Sequence, residues 1–272
     1  MSPLHTERAL EDAIETQLIE HGGYEKGDPA EYDRELALFP KTVIRFIQSS
    51  QPDEWNRLVG FFGHDTEKEV IKRLVQVLQR DGMLKVLRKG FDLYSVPIRM
   101  AYFKPASGLN PEAVEKYGKN ILTVTRQVHY STRNENSLDM VLAVNGLPVA
   151  TVELKNPFTG QTVEDARRQY KVDRDPNELL FQFKKRALIH FAVDPDEVYM
   201  TTRLDGSNTR FLPFNRGHNN GAGNPPDEKT GIRTSYLWRD IWQRDSWLDI
   251  LHRFLHLQVE EKVVNGQRKR KE

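Results

Sequence analysis

The stretch from Leu138 to Lys155 (Leu-Asp-Met-Val-Leu-Ala-Val-Asn-Gly-Leu-Pro-Val-Ala-Thr-Val-Glu-Leu-Lys) leaves little freedom of local structure. Two runs rich in Val, Leu and Ala flank Asn145-Gly146, and those two residues tolerate the positive φ that a tight hairpin turn needs. Side chains alternate across a strand, so Glu153 and Lys155 leave one face while Val152 and Leu154 leave the other. Asp139 stands on the first strand. An acid on one strand and acid-x-Lys on its neighbour can hold a divalent metal beside a scissile phosphate, provided that Asp139 and Glu153 share a face. A plain two-residue turn pairs Val144 with Leu147 and hence Asp139 with Val152, on the wrong face. One extra residue, as a three-residue loop or a β-bulge, pairs Asp139 with Glu153 instead. A metal-binding role therefore predicts an irregular hairpin. The alternative is an ordinary amphipathic hairpin with solvated charges, and the triplet alone does not decide against it, because acid-x-Lys arises often by chance.

A chain of 272 residues can bury a substantial core, in one large domain or two smaller ones. The formal net charge is only +1, so nucleic acid is not gripped by bulk electrostatics and any DNA contact is local or shared with another domain. Cysteine is absent, which excludes disulfides and thiolate metal sites and is compatible with a reducing cytoplasm. No run approaches the length of a membrane span, and the N-terminus lacks the form of a signal peptide. The expected location is cytoplasmic, with no membrane partner.

Taken in order, Thr6 to His21 reads as a helix with Leu10, Ala13, Ile14 and Leu18 on one stripe and Gly22-Gly23 as its stop. Glu7 and Glu11 lie at the edge of that stripe, where either could face a site. Pro40 and Pro52 open further helices, and Asp65 is placed to cap a longer one. Phe91 to Phe103 reads as a strand interrupted at Pro97, Asn110-Pro111 opens a short helix, and Ile121 to Tyr130 reads as a strand. Thr162 with Asp165 resembles a capping box opening a helix to about Asp173, with Val163, Ala166 and Tyr170 buried. Ala187 to Val193 is apolar enough to be covered on both sides, and Val198 to Leu204 is expected to pair with it. Gly223 to Thr230 nearly matches a phosphate loop. There, however, Glu228 replaces the second glycine and would repel phosphate, and two prolines remove amide donors, so a nucleotide site is rejected. From Ser235 a helical stretch carries Leu237, Trp238, Ile241, Trp242, Leu248, Leu251 and Phe254 toward the core. The basic run Gln267 to Lys271 reads as a solvated tail or linker.

Several segments in a characteristic order carry a resemblance. They are Glu7-Arg-Ala-Leu-Glu11 with Gly-Gly-Tyr24, then Asp139, Val-Asn-Gly-Leu-Pro148 and Val-Glu153-Leu-Lys155. Pro213-Phe-Asn-Arg-Gly217, Gly221-Ala-Gly-Asn-Pro225 and Tyr236-Leu-Trp238 follow. Together they resemble the N-terminal nuclease domain of the restriction (R) subunit of type I restriction-modification enzymes. The resemblance implies a PD-(D/E)xK, restriction-endonuclease-like α/β fold: a mixed sheet flanked by helices, with additional helices. It further implies a Mg²⁺-dependent endonuclease that hydrolyses phosphodiesters of unmodified foreign double-stranded DNA, coupled to an ATP-driven translocase. On this reading residues 1–260 form the nuclease domain and 261–272 a basic tail or linker toward absent motor domains. The implied partners are the modification (M) and specificity (S) subunits, reached through the full R subunit.

Asp139 and Glu153 are the implied metal ligands, completed by Glu11 or, alternatively, Glu7, while Lys155 stabilises transition-state charge. The family's glutamine is matched by Gln169. Its tyrosine four residues later is not: position 173 is Asp173, and the neighbouring tyrosine is Tyr170. Two other readings compete: a largely non-cleaving docking module of the same complex, and a free-standing nuclease of the same fold.

Overall fold

The computed structural model describes residues 7–157, 160–258, 260–264 and 267–271, the last two stretches by backbone alone. Helix α1 (Glu7–Glu20) buries Leu10, Ile14 and Leu18 and is followed by the short strand β1 (Tyr24–Lys26). A helical layer comes next, made of α2 (Pro40–Ser50), α3 (Pro52–Phe62), α4 (Thr66–Asp81) and α5 (Met83–Lys89). Proline opens α2 and α3, where the missing N–H has no intrahelical partner to lose. Asp65 does occupy the cap position of α4 but makes no side-chain capping bond, and the Thr66 hydroxyl donates to the Gly63 carbonyl instead. Gly82, at φ 87°, separates α4 from α5.

Phe91 to Phe103 departs from the expected single strand. It forms a hairpin of β2 (Phe91–Leu93) and β3 (Val96–Ile98), a sheet of its own, and the break falls at Tyr94-Ser95. Pro97 sits inside β3, opposite Asp92 and exposed, where no ladder N–H is required. Helix α6 (Pro111–Gly118) is capped by Asn110, whose side chain accepts from the Ala113 amide at 3.1 Å.

The central sheet uses β1, β4 (Leu122–His129), β5 (Ser137–Val144), β6 (Leu147–Leu154), β7 (Ile189–Val193), β8 (Val198–Thr201) and β9 (Leu212–Pro213), in that spatial order. The pairs β1–β4 and β6–β7 are parallel and the others antiparallel, so this is a seven-stranded mixed sheet. Helix α7 (Val163–Val172) makes the crossover from β6 to β7. The capping box expected at its start is present: Asp165 accepts from the Thr162 amide at 2.9 Å. The buried Asp194 carboxylate, just past β7, accepts from the Val163 amide at 2.8 Å and ties α7 to the end of the sheet.

The larger core joins one set of sheet side chains to α1 through α5 and to Trp238, Trp242 and Trp247. A smaller core joins Val141, Ala143 and Ala192 to Val163, Ala166 and Tyr170 of α7. Every residue of β6 is buried, as a strand covered on both faces must be.

The C-terminal helical stretch is broken rather than continuous. Two wide π-type turns, Leu237–Ile241 and Ile250–Phe254, flank α8 (Arg244–Asp249), and Gln243 between them is extended. The break shifts the helical phase, leaving Phe254 exposed while Trp247 and Leu251 are buried. The basic segment Gln267–Lys271, expected as a simple tail, pairs antiparallel with Glu260–Val264. Among the described residues no helix is long and apolar enough to cross a membrane.

Candidate active site

The turn between β5 and β6 is a two-residue one, with Asn145 at φ 53° and Gly146 at φ 80°. Val144 pairs with Leu147 and Ala143 with Pro148, after which the register slips: Leu142 pairs with Ala150 and Met140 with Val152. Val149 is the extra residue of a β-bulge, its carbonyl turned to accept from Leu188 on the β7 side at 2.9 Å. Continued by one residue, the shifted register sets Asp139 opposite Glu153. The irregular hairpin that a shared face demands is therefore present. Pro148 is the sequence signal for it, because a proline within a central strand is tolerated at bulges.

The charges on this hairpin are not solvated. Asp139 is 8% exposed, Glu153 0% and Lys155 7%, which excludes the amphipathic-hairpin alternative. Asp139 accepts from the Leu154 amide at 2.7 Å, a bond that crosses from β5 to β6. Lys155 donates to the Leu154 carbonyl at 2.9 Å and stands 3.7 Å from Glu7.

Helix α1 brings its acids over this end of the sheet. Carboxylate oxygens of Glu7, Glu11 and Asp139 lie within 4.8 Å of one another. Glu11 is fixed on both oxygens: Arg126 donates to Oε2 through Nε at 2.8 Å and Nη2 at 2.6 Å, and Gln127 donates to Oε1 at 2.9 Å. Arg126 also pairs with Asp12 and Glu15, so one guanidinium docks the acidic side of α1 on β4. Gln127 adopts φ 50° inside a strand, a conformation that costs a non-glycine residue free energy and tends to collect at functional sites. The pairs on either side of it, Arg126 with Met140 and Val128 with Leu138, bracket Asp139 on β5.

Glu153 falls outside the Glu7/Glu11/Asp139 group. Its Oε1 takes Nε of Arg174 at 2.7 Å and Nη2 at 2.7 Å, whereas its Oε2 is buried with no hydrogen-bond partner among the described residues. Burial, and then the Asp139 carboxylate, push the Glu153 pKa up to about 8, and the pull of Arg174 does not offset them. Glu7 is likewise raised by burial and by Asp139. Burial raises Glu11 too, against the opposing effect of Arg126. Gathered hard carboxylate oxygens and an orphaned buried one fit a Mg²⁺-type cation, which takes oxygen ligands and lifts exactly this kind of mutual repulsion.

Gln169 lies on α7 with its Oε1 buried and unpartnered among the described residues. Tyr170 is directed elsewhere: its hydroxyl meets Thr151 at 2.8 Å, and Thr151 meets His190 at 2.8 Å. Burial pushes His190 down to about 3, so this network is neutral. Sequence reasoning missed Arg126, Gln127 and Arg174. Arg126 and Arg174 reach their acids across 115 and 21 residues, respectively, and nothing in the local pattern announces either pairing.

A mixed sheet flanked by helices, with acids gathered at one end, defines a restriction-endonuclease-like fold. Residues 5–209 match the family described as the type I restriction enzyme R protein N terminus, and the chain belongs to that family. No match is found among curated proteins.

Proposed function

We propose that this chain is the DNA-cleaving part of a type I restriction enzyme R subunit, a Mg²⁺-dependent endonuclease acting on double-stranded DNA. The observation that carries the reading is the bulge that turns Asp139 toward Glu153 at the strand ends reached by Glu7 and Glu11. Asp139 and Glu153, with Glu11 or Glu7, would hold the cation. Bound there, it would polarise a phosphate oxygen and make a coordinated water more acidic. Lys155, the residue after β6, would stabilise negative charge developing on the phosphate. Gln169 would contact the DNA backbone or support Lys155.

On this reading residues 1–260 act as the nuclease domain, and an ATP-driven motor carried elsewhere in the R subunit delivers the duplex. The M and S subunits supply recognition, and the setting is cytoplasmic. A second reading, a module that docks and couples without cleaving efficiently alone, draws on the formal charge of +1, too small to capture DNA unaided. The deciding experiment compares Mg²⁺-dependent nicking by this chain alone and in the assembled enzyme. Cleavage in the assembly that vanishes with Asp139→Ala supports the nuclease. Undiminished cleavage with that variant sinks it.

A further inference from the structure

Arginine and carboxylate usually meet as two forks, with two nitrogens on two oxygens. Arg174 and Glu153 do not. Both Nε and Nη2 of Arg174 converge on Glu153 Oε1, at 2.7 Å each. Oε2 is left buried, without a hydrogen bond among the described residues. An ionised oxygen in that state is costly unless something else satisfies it.

The guanidinium is itself held on several sides. Its Nη2 donates to the Ser137 carbonyl at 2.8 Å, Nη1 reaches the Tyr130 hydroxyl at 3.5 Å, and the group lies 5.4 Å from the Tyr130 ring centroid. Arg174 is only 4% exposed, so it cannot swing freely into solvent. Ser137 opens β5 two residues before Asp139, which means that one side chain spans both acid-bearing strands.

We infer that Arg174 is a positioning residue: it engages one oxygen of Glu153, ties that carboxylate to the strand carrying Asp139, and so presents the second oxygen to a cation. The inference rests on the metal-dependent reading above and deepens it. Arg174 touches neither cation nor DNA; it acts through Glu153. Lysine is a poor substitute, since one ammonium point charge can meet Oε1 but lacks the planar fork that also reaches the Ser137 carbonyl.

The test uses Mn²⁺ as probe, titrated into the chain and its Arg174→Met, Arg174→Lys and Asp139→Asn variants, together with crystal structures of the unsubstituted and Arg174→Met proteins. Expected for Arg174→Met is a displaced Glu153 carboxylate and Mn²⁺ binding weakened about 10–100-fold, the range seen when a ligand loses its supporting hydrogen bond. Arg174→Lys should recover part of that loss. In cleavage assays the Mg²⁺ concentration for half-maximal rate should rise more than the rate at saturating Mg²⁺ falls. A Glu153 carboxylate that stays in place in Arg174→Met overturns the inference, as does Arg174→Lys with unsubstituted Mn²⁺ affinity. Should Arg174→Met fail to fold, the lysine variant decides alone. Mn²⁺ binding that is absent from the unsubstituted chain, or unaffected by Asp139→Asn, would count against the metal-dependent reading itself, while the position of Glu153 in the crystals still judges Arg174.

Discussion

The tight hairpins β2–β3 and β5–β6 are built on the same turn length, and they have little else in common. In β2–β3 the turn residues Tyr94 and Ser95 adopt positive φ at the surface, the register runs without a slip, and the outward residues Asp92 and Pro97 are exposed. In β5–β6 the turn is internal. Asn145 is 0% exposed; its side chain accepts from Ile121 at 2.6 Å and donates to Met100 and Asn120 at 2.8 and 2.9 Å. The Gly146 carbonyl takes the Phe39 amide at 2.9 Å. The first hairpin tolerates irregular turn chemistry because solvent satisfies what the fold does not. At the second turn the Asn145 side chain is satisfied by the fold itself, and the irregularity of that hairpin, the bulge at Val149, is what sets Asp139 opposite Glu153.

The largest effect expected from testing that contrast is on chemistry. Asp139→Ala, Glu153→Ala and Lys155→Ala should each lower cleavage by the assembled enzyme about 10²–10³-fold or more, with ATP hydrolysis retained. If ATPase activity fell with cleavage in all three, these residues would have a folding or coupling role. Next comes the turn itself. A Cβ on Gly146 would stand 2.6 Å from the Phe39 carbonyl and 2.7 Å from Val43, at φ 80°. Gly146→Ala should therefore cost about 3 kcal/mol by combining left-handed strain with overpacking, as read from denaturant unfolding.

A smaller effect follows from the proton on Glu153. Its pKa is raised from 4.5 to about 8, so the folded protein holds the proton more tightly than the unfolded chain. The stability it contributes is complete below about pH 4.5 and is lost as pH rises toward about 8. A cation held by Glu153, as proposed, would have to displace that proton. Mg²⁺ affinity should thus rise with pH, by up to about tenfold per unit, and level off above about 8. Calorimetric affinities that stay flat from neutral to alkaline pH would remove Glu153 from the ligand set. The smallest effect belongs to the outer hairpin. Tyr94, at φ 49° and 68% exposed, should accept Tyr94→Gly with a stability change below about 1 kcal/mol, either way. A loss as large as that of Gly146→Ala would erase the distinction between the two turns.

Much of this was legible in the sequence for identifiable reasons. Asn145-Gly146 marks a turn through its own backbone preferences, and the two-residue period of a strand then forces the question of whether Asp139 can face Glu153. Thr162 and Asp165 cap α7 over three residues. Such cues are local, so local reasoning finds them. Tyr94-Ser95 carries no comparable cue, and the proline at position 97 drew the break away from its true place. Arg174 escaped because its role depends on a strand 21 residues earlier in the chain, and Gln127 because a strained φ leaves no mark in residue type. Pro148 is different: its cue was present in the sequence, as a proline where a central strand should not have one.

The sealed turn also says something about the order in which the protein comes into being. During synthesis Glu7 and Glu11 emerge first, yet the arginine that docks their helix lies 115 residues from Glu11. Asn145 cannot satisfy its side chain until the segments of Met100, Asn120 and Ile121 have arrived, nor can Gly146 bond Phe39 before α2 is seated. The acids therefore converge only when most of the sheet is assembled. A half-made or locally unfolded chain holds its carboxylates far apart, so topology itself ties the meeting of the acids to the completion of the sheet around them.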